Sequence, residues 1–342
     1  MTSLMRDAAV GLIGGILVLI GIILVARVAG RWRRRRDLPL RAGYELALAA
    51  YLAEVETKPP QPSGANERRV LRSVALASLI ELRGRERRRL TELLEDTGIV
   101  AETARELRSR RRRARRQAAD ALAEIRSLQA ESALRAGLGD PDHAVRLACG
   151  RALAELGDEE TIDELLAVAE DEIERSPGMV ADLLLALAAH EPRLLAEAFE
   201  ATSSIRLQRL LAAIFGECRF VDEAPLLREA LGAGDEELVA CAAHGLGLIG
   251  DVEAGEPLLG LLADRSRPLS IRAAAAESLG RIGDPAAVPG LEAALASGDW
   301  TLEQNAAEAL SLLGVAGEDA LHRVARTGAL DARAHAEVAL QR

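Results

Sequence analysis

The feature that most constrains this chain is a helical segment that recurs and ends each time at a glycine. The copies that align best are "GRALAELGDEETIDELL" (150–166), "AHGLGLIGDVEAGEPLL" (243–259), "AESLGRIGDPAAVPGLE" (276–292) and "AEALSLLGVAGEDALHR" (307–323). Their helix-ending glycines are Gly157, Gly250, Gly283 and Gly314, at steps of 93, 33 and 31 residues. Leucine stands four residues before each glycine, and leucine or isoleucine stands one residue before it. Apolar positions three residues apart share one helix face, so the repeat predicts stacked amphipathic helices.

Each repeat is predicted to be a helical hairpin. Glycine can take the left-handed conformation that ends a helix, and an aspartate follows at 158, 251 and 284 to cap the second helix. Weaker copies at 182–199 and 207–227 keep the leucine stripe but lose the glycine. The chain lacks alternating β-branched runs, and only 2% of its residues are aromatic, which suits closely packed helices. We therefore expect an all-α solenoid of about eight hairpins, because one hairpin cannot bury both of its faces.

Two stretches carry a family resemblance: "SIRAAAAESLGRIGDPAAVPGLEAAL" (270–295) and "AVRLACGRALAELGDEETIDELL" (144–166). They resemble the HEAT-repeat family in its short bacterial form, which is similar to phycobilin-lyase-type repeats. The resemblance covers about 80% of the chain. It implies a right-handed α-solenoid whose second helices line a concave face, and it implies binding or scaffolding far more often than catalysis.

The stretch "GLGLIG" (245–250) has the G-x-G-x-x-G spacing of a dinucleotide-binding loop. In the register of the repeat, however, Gly250 is a helix-ending glycine, and Gly245 aligns with Ala152, Ser278 and Ala309. A helix rather than a strand precedes the motif, so no βαβ unit could hold a cofactor. We predict that these glycines serve helix packing and termination.

Residues 8–26, "AAVGLIGGILVLIGIILVA", are 19 consecutive uncharged residues, and a helix of about 20 residues spans a bilayer. We expect a transmembrane helix over 8–29 rather than a signal peptide, whose apolar stretch would be shorter. Six arginines follow the apolar run closely: Arg27, Arg31, Arg33, Arg34, Arg35 and Arg36. Such an excess lies on the cytoplasmic side, so the expected localisation is a single pass through the cell (inner) membrane with the N-terminus out.

Gly11 and Gly15 form a G-x-x-x-G pattern that would let a second transmembrane helix approach closely. The alternative is the ordinary glycine content of membrane helices. The expected organisation is then an external N-terminus at 1–7, a transmembrane helix at 8–29, a connecting segment at 30–65 and a cytoplasmic HEAT solenoid at 66–342. The connecting segment combines basic residues, an amphipathic helix and the proline-rich linker "KPPQPSG" (58–64).

The net charge of −10 hides an asymmetry along the chain. Residues 31–126 contain 24 Lys plus Arg against 14 Asp plus Glu, and residues 127–342 contain 17 against 38. The densest basic stretch, "RELRSRRRRARRQ" (105–117), has eight arginines. We predict that these arginines contact anionic lipid headgroups or an acidic surface of a partner protein: Arg31, Arg33, Arg34, Arg35, Arg36, Arg110, Arg111, Arg112 and Arg113. A solvated helix face and nucleic-acid binding remain alternatives, although aromatic residues for base stacking are scarce.

Residues that could carry chemistry are few. The five histidines and three cysteines lack the spacing of a metal site or a disulfide framework, and no nucleophile or phosphate-loop motif occurs. HEAT-like di-iron enzymes use several His-Glu pairs, and this chain has the single pair His190-Glu191. We therefore predict no enzyme activity, catalytic residue, cofactor or metal.

The function expected from these features is a non-catalytic, membrane-anchored scaffold or adaptor. Its cytoplasmic solenoid would bind or regulate a partner protein at the inner membrane face. An integral membrane enzyme such as a glycosyltransferase is one candidate partner, and this candidate rests on the shared location alone. The alternatives are a lyase-like HEAT enzyme and a membrane-tethered solenoid that binds nucleic acid.

Overall fold

The computed structural model describes residues 38–341 except 56, 57 and 158–160. All regular secondary structure in this part of the chain is helical, which confirms the all-α part of the predicted fold class. The chain divides into two compact units, Met1–Ala133 (unit 1) and Leu134–Arg342 (unit 2). The predicted domain boundary at residue 65 stays a prediction, and residues 1–7 and 8–29 lie outside the described part.

Unit 1 is a small helical array. Its helices within the described residues are α1 (38–52), α2 (Ala65–Leu79), α3 (Gly84–Asp96), α4 (Ile99–Glu106), α5 (Arg112–Ile125) and the start of α6 (Glu131–Gly137). Helix α2 packs on α3 and α5, and α4 also packs on α3 and α5. Their leucine and isoleucine stripes form the core, so amphipathic periodicity alone explains the arrangement.

Helix α1 is tied to the rest of unit 1 by its polar side chains as well as by buried Leu48. The Tyr44 hydroxyl donates a hydrogen bond to the Glu67 carboxylate at 3.0 Å. Burial and this neighbouring carboxylate raise the pKa of Tyr44 to about 12. The Arg89 guanidinium lies 4.6 Å from the centre of the Tyr51 ring. The predicted amphipathic helix therefore packs on unit 1 along its tyrosine and leucine stripe.

Unit 2 is a stack of helical hairpins. Its first helices are α7 (His143–Leu156), α9 (Pro177–Ala188), α11 (Ile205–Glu217), α13 (Glu236–Ile249), α15 (Leu269–Ile282), α17 (Trp300–Ser311) and α19 (Leu330–Ala339). Its second helices are α8 (Ile162–Glu172), α10 (Pro192–Ala201), α12 (Ala224–Ala230), α14 (Gly255–Ala263), α16 (Val288–Leu295) and α18 (Gly314–Thr327). Each first helix packs on the next first helix, and α14, α16 and α18 pack in sequence as second helices. The two helix sets form the layers that the repeat predicts.

Several helices of the repeat are followed by a left-handed residue, in two cases where the sequence has no glycine. The position is filled by Arg126, Gly157, Arg219, Gly250, Gly283 and Gly314, with φ values of 55°, 72°, 54°, 79°, 79° and 58°, whereas Ala189 at the end of α9 has φ −70°. Arg126 and Arg219 each stand 31 residues before a helix-ending glycine. The tertiary repeat therefore holds two arginines in a conformation that costs an L-residue about 1–2 kcal/mol.

Gly245 lies where two first helices come into direct backbone contact. A methyl group on Gly216 of α11 would lie 2.5 Å from the Cα of Gly245 of α13. A methyl group on Gly245 would lie 3.0 Å from Leu227 and 3.2 Å from the carbonyl of Ala212. This contact confirms that Gly245 occupies a packing position.

The next two contacts between first helices repeat this close approach. A methyl group on Gly247 would lie 2.7 Å from the Cα of Ser278, and one on Gly280 would lie 2.6 Å from the Cα of Ala309. Gly250, the last glycine of the motif, has φ 79° at the end of α13. The three glycines thus serve helix packing and helix termination, as the repeat register predicts.

The membrane localisation expected from the sequence needs correction. Within the described residues no helix combines the length and the apolar character needed to cross a bilayer. Helix α2, for example, has 15 residues, whereas a transmembrane helix needs about 20. The predicted span at 8–29, with Gly11 and Gly15, lies outside the described residues. We do not retain the single-pass localisation with the N-terminus out and the solenoid cytoplasmic.

Candidate interaction surfaces

The arginine turn, residues 107–113, joins α4 to α5 and exposes basic side chains. Arg110, Arg111, Arg112 and Arg113 are all exposed there, so the structure brings these four predicted contact residues together. The other predicted arginines, Arg31 and Arg33 to Arg36, lie outside the described residues.

The electrostatics of the arginine turn are unfavourable for the helix that it starts. The first turn of α5 has no acidic residue, and its N-cap, Arg111, makes no side-chain capping hydrogen bond. Cations near a helix N-terminus are repelled by the helix dipole. The nearest preceding carboxylate, Glu106, accepts a hydrogen bond from Arg72 at 2.9 Å. The turn therefore places several exposed positive charges at the start of α5.

The second basic run, "RGRERRR" (83–89), behaves differently. Arg87 donates hydrogen bonds to the backbone carbonyls of Leu79 and Glu124, each at 2.5 Å. Arg89 pairs with Glu54 at 2.9 Å while it stacks on Tyr51. Arg85 also pairs with Glu54, at 2.8 Å. These three arginines make contacts within unit 1, which a count of charges along the sequence could not distinguish from a solvated helix face.

The second helices of unit 2 carry an excess of negative charge. Helices α8, α10, α12, α14, α16 and α18 contain twelve Asp plus Glu against four arginines. The excess is greatest on α8, which has five carboxylates and no arginine. Helix α10, which like α8 packs on α9, adds two carboxylates beside Arg193. The exposed carboxylates of these two helices are Asp163, Glu164, Glu170, Asp171, Glu197 and Glu200. We call these six residues the acidic face.

Carboxylates at the starts of other helices are held by arginines of the preceding repeat. Arg209 of α11 pairs with Asp235 at 2.5 Å and also contacts Glu237. The hydrogen bond from Arg209 is the main reason why the pKa of Asp235 lies below its usual value. Asp251, expected to cap the next helix, instead accepts two hydrogen bonds from Arg228 at 2.7 and 2.9 Å. These pairs link successive repeats and leave fewer charges free for partners.

A groove of about 650 Å³ opens between α9, α11 and α13. Leu210, Ala213 and Cys241 contribute apolar surface, and Arg209 and Glu237 stand beside them. Burial raises the pKa of the Cys241 thiol. A thiol held in its protonated form is a poor nucleophile, so the groove can accept an apolar side chain but has no activated cysteine.

A smaller cleft of about 280 Å³ lies between α17 and α19. Trp300 stands at its edge, with the indole ring in edge-on contact with His335 at 5.3 Å between ring centres. Neither Trp300 nor His335 was predicted as a contact residue from the sequence. A tryptophan in a chain so poor in aromatic residues was the feature that could have pointed to this cleft.

Among the described residues, no cluster of three or more His, Cys, Asp or Glu side chains has the geometry needed to hold a metal ion. His190 and Glu191 stand at the turn between α9 and α10. The absence of enzyme activity stays a prediction.

These observations define an α-helical repeat protein of stacked hairpins with charged surfaces. A family model of HEAT repeats matches residues 100–177 and 265–341, which supports the resemblance seen in the sequence for these two segments. No curated protein sequence matches this chain.

Similar solved structures include HEAT-like proteins of different activities. The CpcE–CpcF complex of phycocyanin lyase from Nostoc sp. PCC7120 is 20% identical over 71% of this chain and 93% of that chain, with a TM-score of 0.30. Human deoxyhypusine hydroxylase is 20% identical over 89% of this chain and 96% of that chain, with a TM-score of 0.31. A mutant of Kap121p is 14% identical over 89% of this chain and 39% of that chain, with a TM-score of 0.52. The last likeness shows a shared solenoid fold and does not extend to function.

Proposed function

We propose that this chain is a non-catalytic scaffold that binds a protein partner with a basic surface through the acidic face on α8 and α10. The observation that carries the proposal is the excess of exposed carboxylates on these two helices, whose only basic residue is Arg193. Complementary potentials speed encounter and suppress wrong partners. HEAT stacks offer extended surfaces for such contacts. We also propose that the hairpins form a right-handed solenoid of about eight repeats whose second helices line a concave face.

A lyase-like enzyme and a nucleic-acid-binding solenoid are not adopted. Nucleic acid would be repelled by the acidic face, since its phosphates attract cations. The carboxylates of the acidic face therefore favour a protein partner with a basic surface over nucleic acid.

The test removes four charges from the acidic face of the full chain: Asp163→Asn, Glu164→Gln, Glu197→Gln and Glu200→Gln. A matched control removes four charges from exposed carboxylates outside α8, α10 and α19: Asp182→Asn, Glu217→Gln, Glu236→Gln and Glu256→Gln. Partners are captured by cross-linking in cells and quantified by mass spectrometry. We expect the acidic-face variant to lose a partner with a basic surface by about tenfold or more, with the control unchanged. Equal recovery from both variants would contradict the proposal.

The arginine turn supports a second contact of the same scaffold, with an acidic surface of a protein partner. Replacing Arg110, Arg111, Arg112 and Arg113 with glutamine should abolish the cross-links between the arginine turn and its protein partner. Cross-links between the acidic face and its partner should remain. Arg113→Glu should raise the free energy of unfolding by about 0.3–1 kcal/mol, because it suits the α5 dipole, while it weakens the contact. Cross-links that disappear after nuclease treatment would assign the turn to nucleic acid instead.

A further inference from the structure

Helix α19 has two apolar stripes on opposite faces. Ala332, Ala336 and Ala339 form the buried stripe, which packs on α17 and α18. Leu330, Ala334 and Val338, spaced four residues apart, form the exposed stripe. Leu330 is 74% exposed and Val338 is 55% exposed. At about 100° per residue the two stripes point in nearly opposite directions. A helix with one solvent-facing side would carry polar residues on that side.

Two-sided apolar helices are typical of the interior of this stack. Helix α13 lies between α11 and α15, α15 lies between α13 and α17, and α17 lies between α15 and α19. Within the described residues, α19 packs mainly on α17 and α18, so it has a first-helix neighbour on one side. Its exposed stripe continues the interface that the other first helices form with their neighbours.

The exposed stripe joins a larger apolar patch. Trp300 of α17 is 63% exposed and contacts His335, which lies beside the exposed stripe of α19. The cleft between α17 and α19 separates Trp300 from the stripe. An exposed aromatic beside an aliphatic stripe is typical of an energetically dominant interface contact. We define the α19 face as Trp300, Leu330, Ala334, His335 and Val338.

The charged residues beside the α19 face make it complementary to itself. Consider two α19 helices packed antiparallel, with the two-fold axis passing through Ala334. Leu330 of one copy would then meet Val338 of the other, and Val338 would meet Leu330, each about 6 Å along the helix from the axis. On one flank Arg333 would lie within one helical turn of Glu337 of the second copy. On the other flank Asp331 would lie equally close to His335 of the second copy. The small side chain of Ala334 at the centre would allow close approach of the helices.

We propose that the α19 face binds the same face of a second copy of this chain, with the two α19 helices antiparallel. Burial of the apolar stripe drives the association, and the flanking charges set its direction. This inference is independent of the acidic face and of the partner that binds there.

The first experiment measures the mass of the purified full chain by sedimentation velocity over a range of concentrations. The wild type is expected to dimerise. Val338→Asp should weaken the dimer at least about tenfold, because it places a carboxylate in the apolar contact. Val252→Asp is the matched control, since Val252 is 64% exposed at the turn before α14. A wild type that stays monomeric, or a dimer that survives Val338→Asp, would overturn the proposal.

A charge exchange tests the antiparallel arrangement without touching the apolar stripe. Arg333→Glu alone and Glu337→Arg alone should each weaken self-association, because each puts like charges opposite one another. An equimolar mixture of these two variants should form a heterodimer, since opposite charges then meet at both positions. The mixture fails to pair if α19 does not meet α19 of another copy in this direction.

Trp300 supplies a local readout. The chain has two tryptophans, so Trp32→Phe leaves Trp300 as the only indole. Its emission should shift to the red when the wild-type dimer is diluted, and it should not depend on concentration in the Val338→Asp background. A concentration-independent emission in both backgrounds would contradict burial of Trp300 in the dimer.

Discussion

Single residues decide how closely the helices of unit 2 approach one another. At Gly216 the nearest atom to an added methyl group is the backbone Cα of Gly245, and a backbone cannot move aside as a side chain can. Interiors are packed closely enough that one extra methyl group is felt. Gly216 is therefore a glycine that tolerates little change, although its repeat has no helix-ending glycine.

Gly216→Ala is expected to lower the free energy of unfolding by about 1–3 kcal/mol, because α11 and α13 must move apart. Gly245→Ala should be milder, since its nearest contact is the flexible end of Leu227 at 3.0 Å. Gly245→Leu should cost as much as Gly216→Ala or more. Urea unfolding of the three variants measures the order. A smaller effect at Gly216 than for Gly245→Ala would contradict the observed contact.

Arg219 offers a test in the opposite direction. It has φ 54° at the position that Gly250 fills one repeat later. Arg219→Gly removes the strain of a left-handed L-residue but adds freedom to the unfolded chain, so we expect the free energy of unfolding to rise by up to about 1 kcal/mol. Gly250→Ala should lower the free energy of unfolding by about 1 kcal/mol, because it puts an L-residue in the left-handed conformation. Thermal unfolding of both variants is the measurement, and a destabilised Arg219→Gly would show that its side chain matters more than its backbone.

At the scale of elements, an ion pair joins one first helix to the start of the next. Asp235 accepts from the backbone N–H of Leu238 at 2.8 Å and also binds Arg209. One carboxylate therefore caps α13 and connects it to α11. Its lowered pKa means that the folded state prefers the charged form.

The stabilisation from Asp235 should be present above its usual pKa of 3.8 and be lost as pH falls through the lower pKa of the folded state. Asp235→Asn keeps a capping side chain but removes the charge. We expect a lower melting temperature than wild type at neutral pH and a difference that closes as pH falls below 3.8. A difference that does not depend on pH would assign the loss to the cap instead of the ion pair.

At the scale of the whole molecule, stability is expected to vary along unit 2. Repeat arrays depend on contacts between neighbours, so helices covered on both sides open less often. Helices α13 and α15 have first-helix neighbours on both sides, whereas α19 has one in the described part of the chain.

Amide hydrogen exchange of the full chain at low protein concentration should therefore be slower in α13 and α15 than in α19. Raising the concentration should slow α19 alone, because dimerisation covers its outer stripe. Uniform exchange across the three helices would argue that unit 2 unfolds as one cooperative block.

The sequence by itself determined the features that repeat: the all-helical class, the hairpin register and the glycines that end helices. These follow from local preferences and periodicity, which the best-aligned copies of the repeat display. Only the tertiary structure decided which residues meet across repeats. It showed that Gly245 touches Gly216, that Arg87 serves the fold rather than a partner, and that α19 exposes an apolar stripe. Such contacts depend on how neighbouring helices pack, and residues distant in the chain determine that packing.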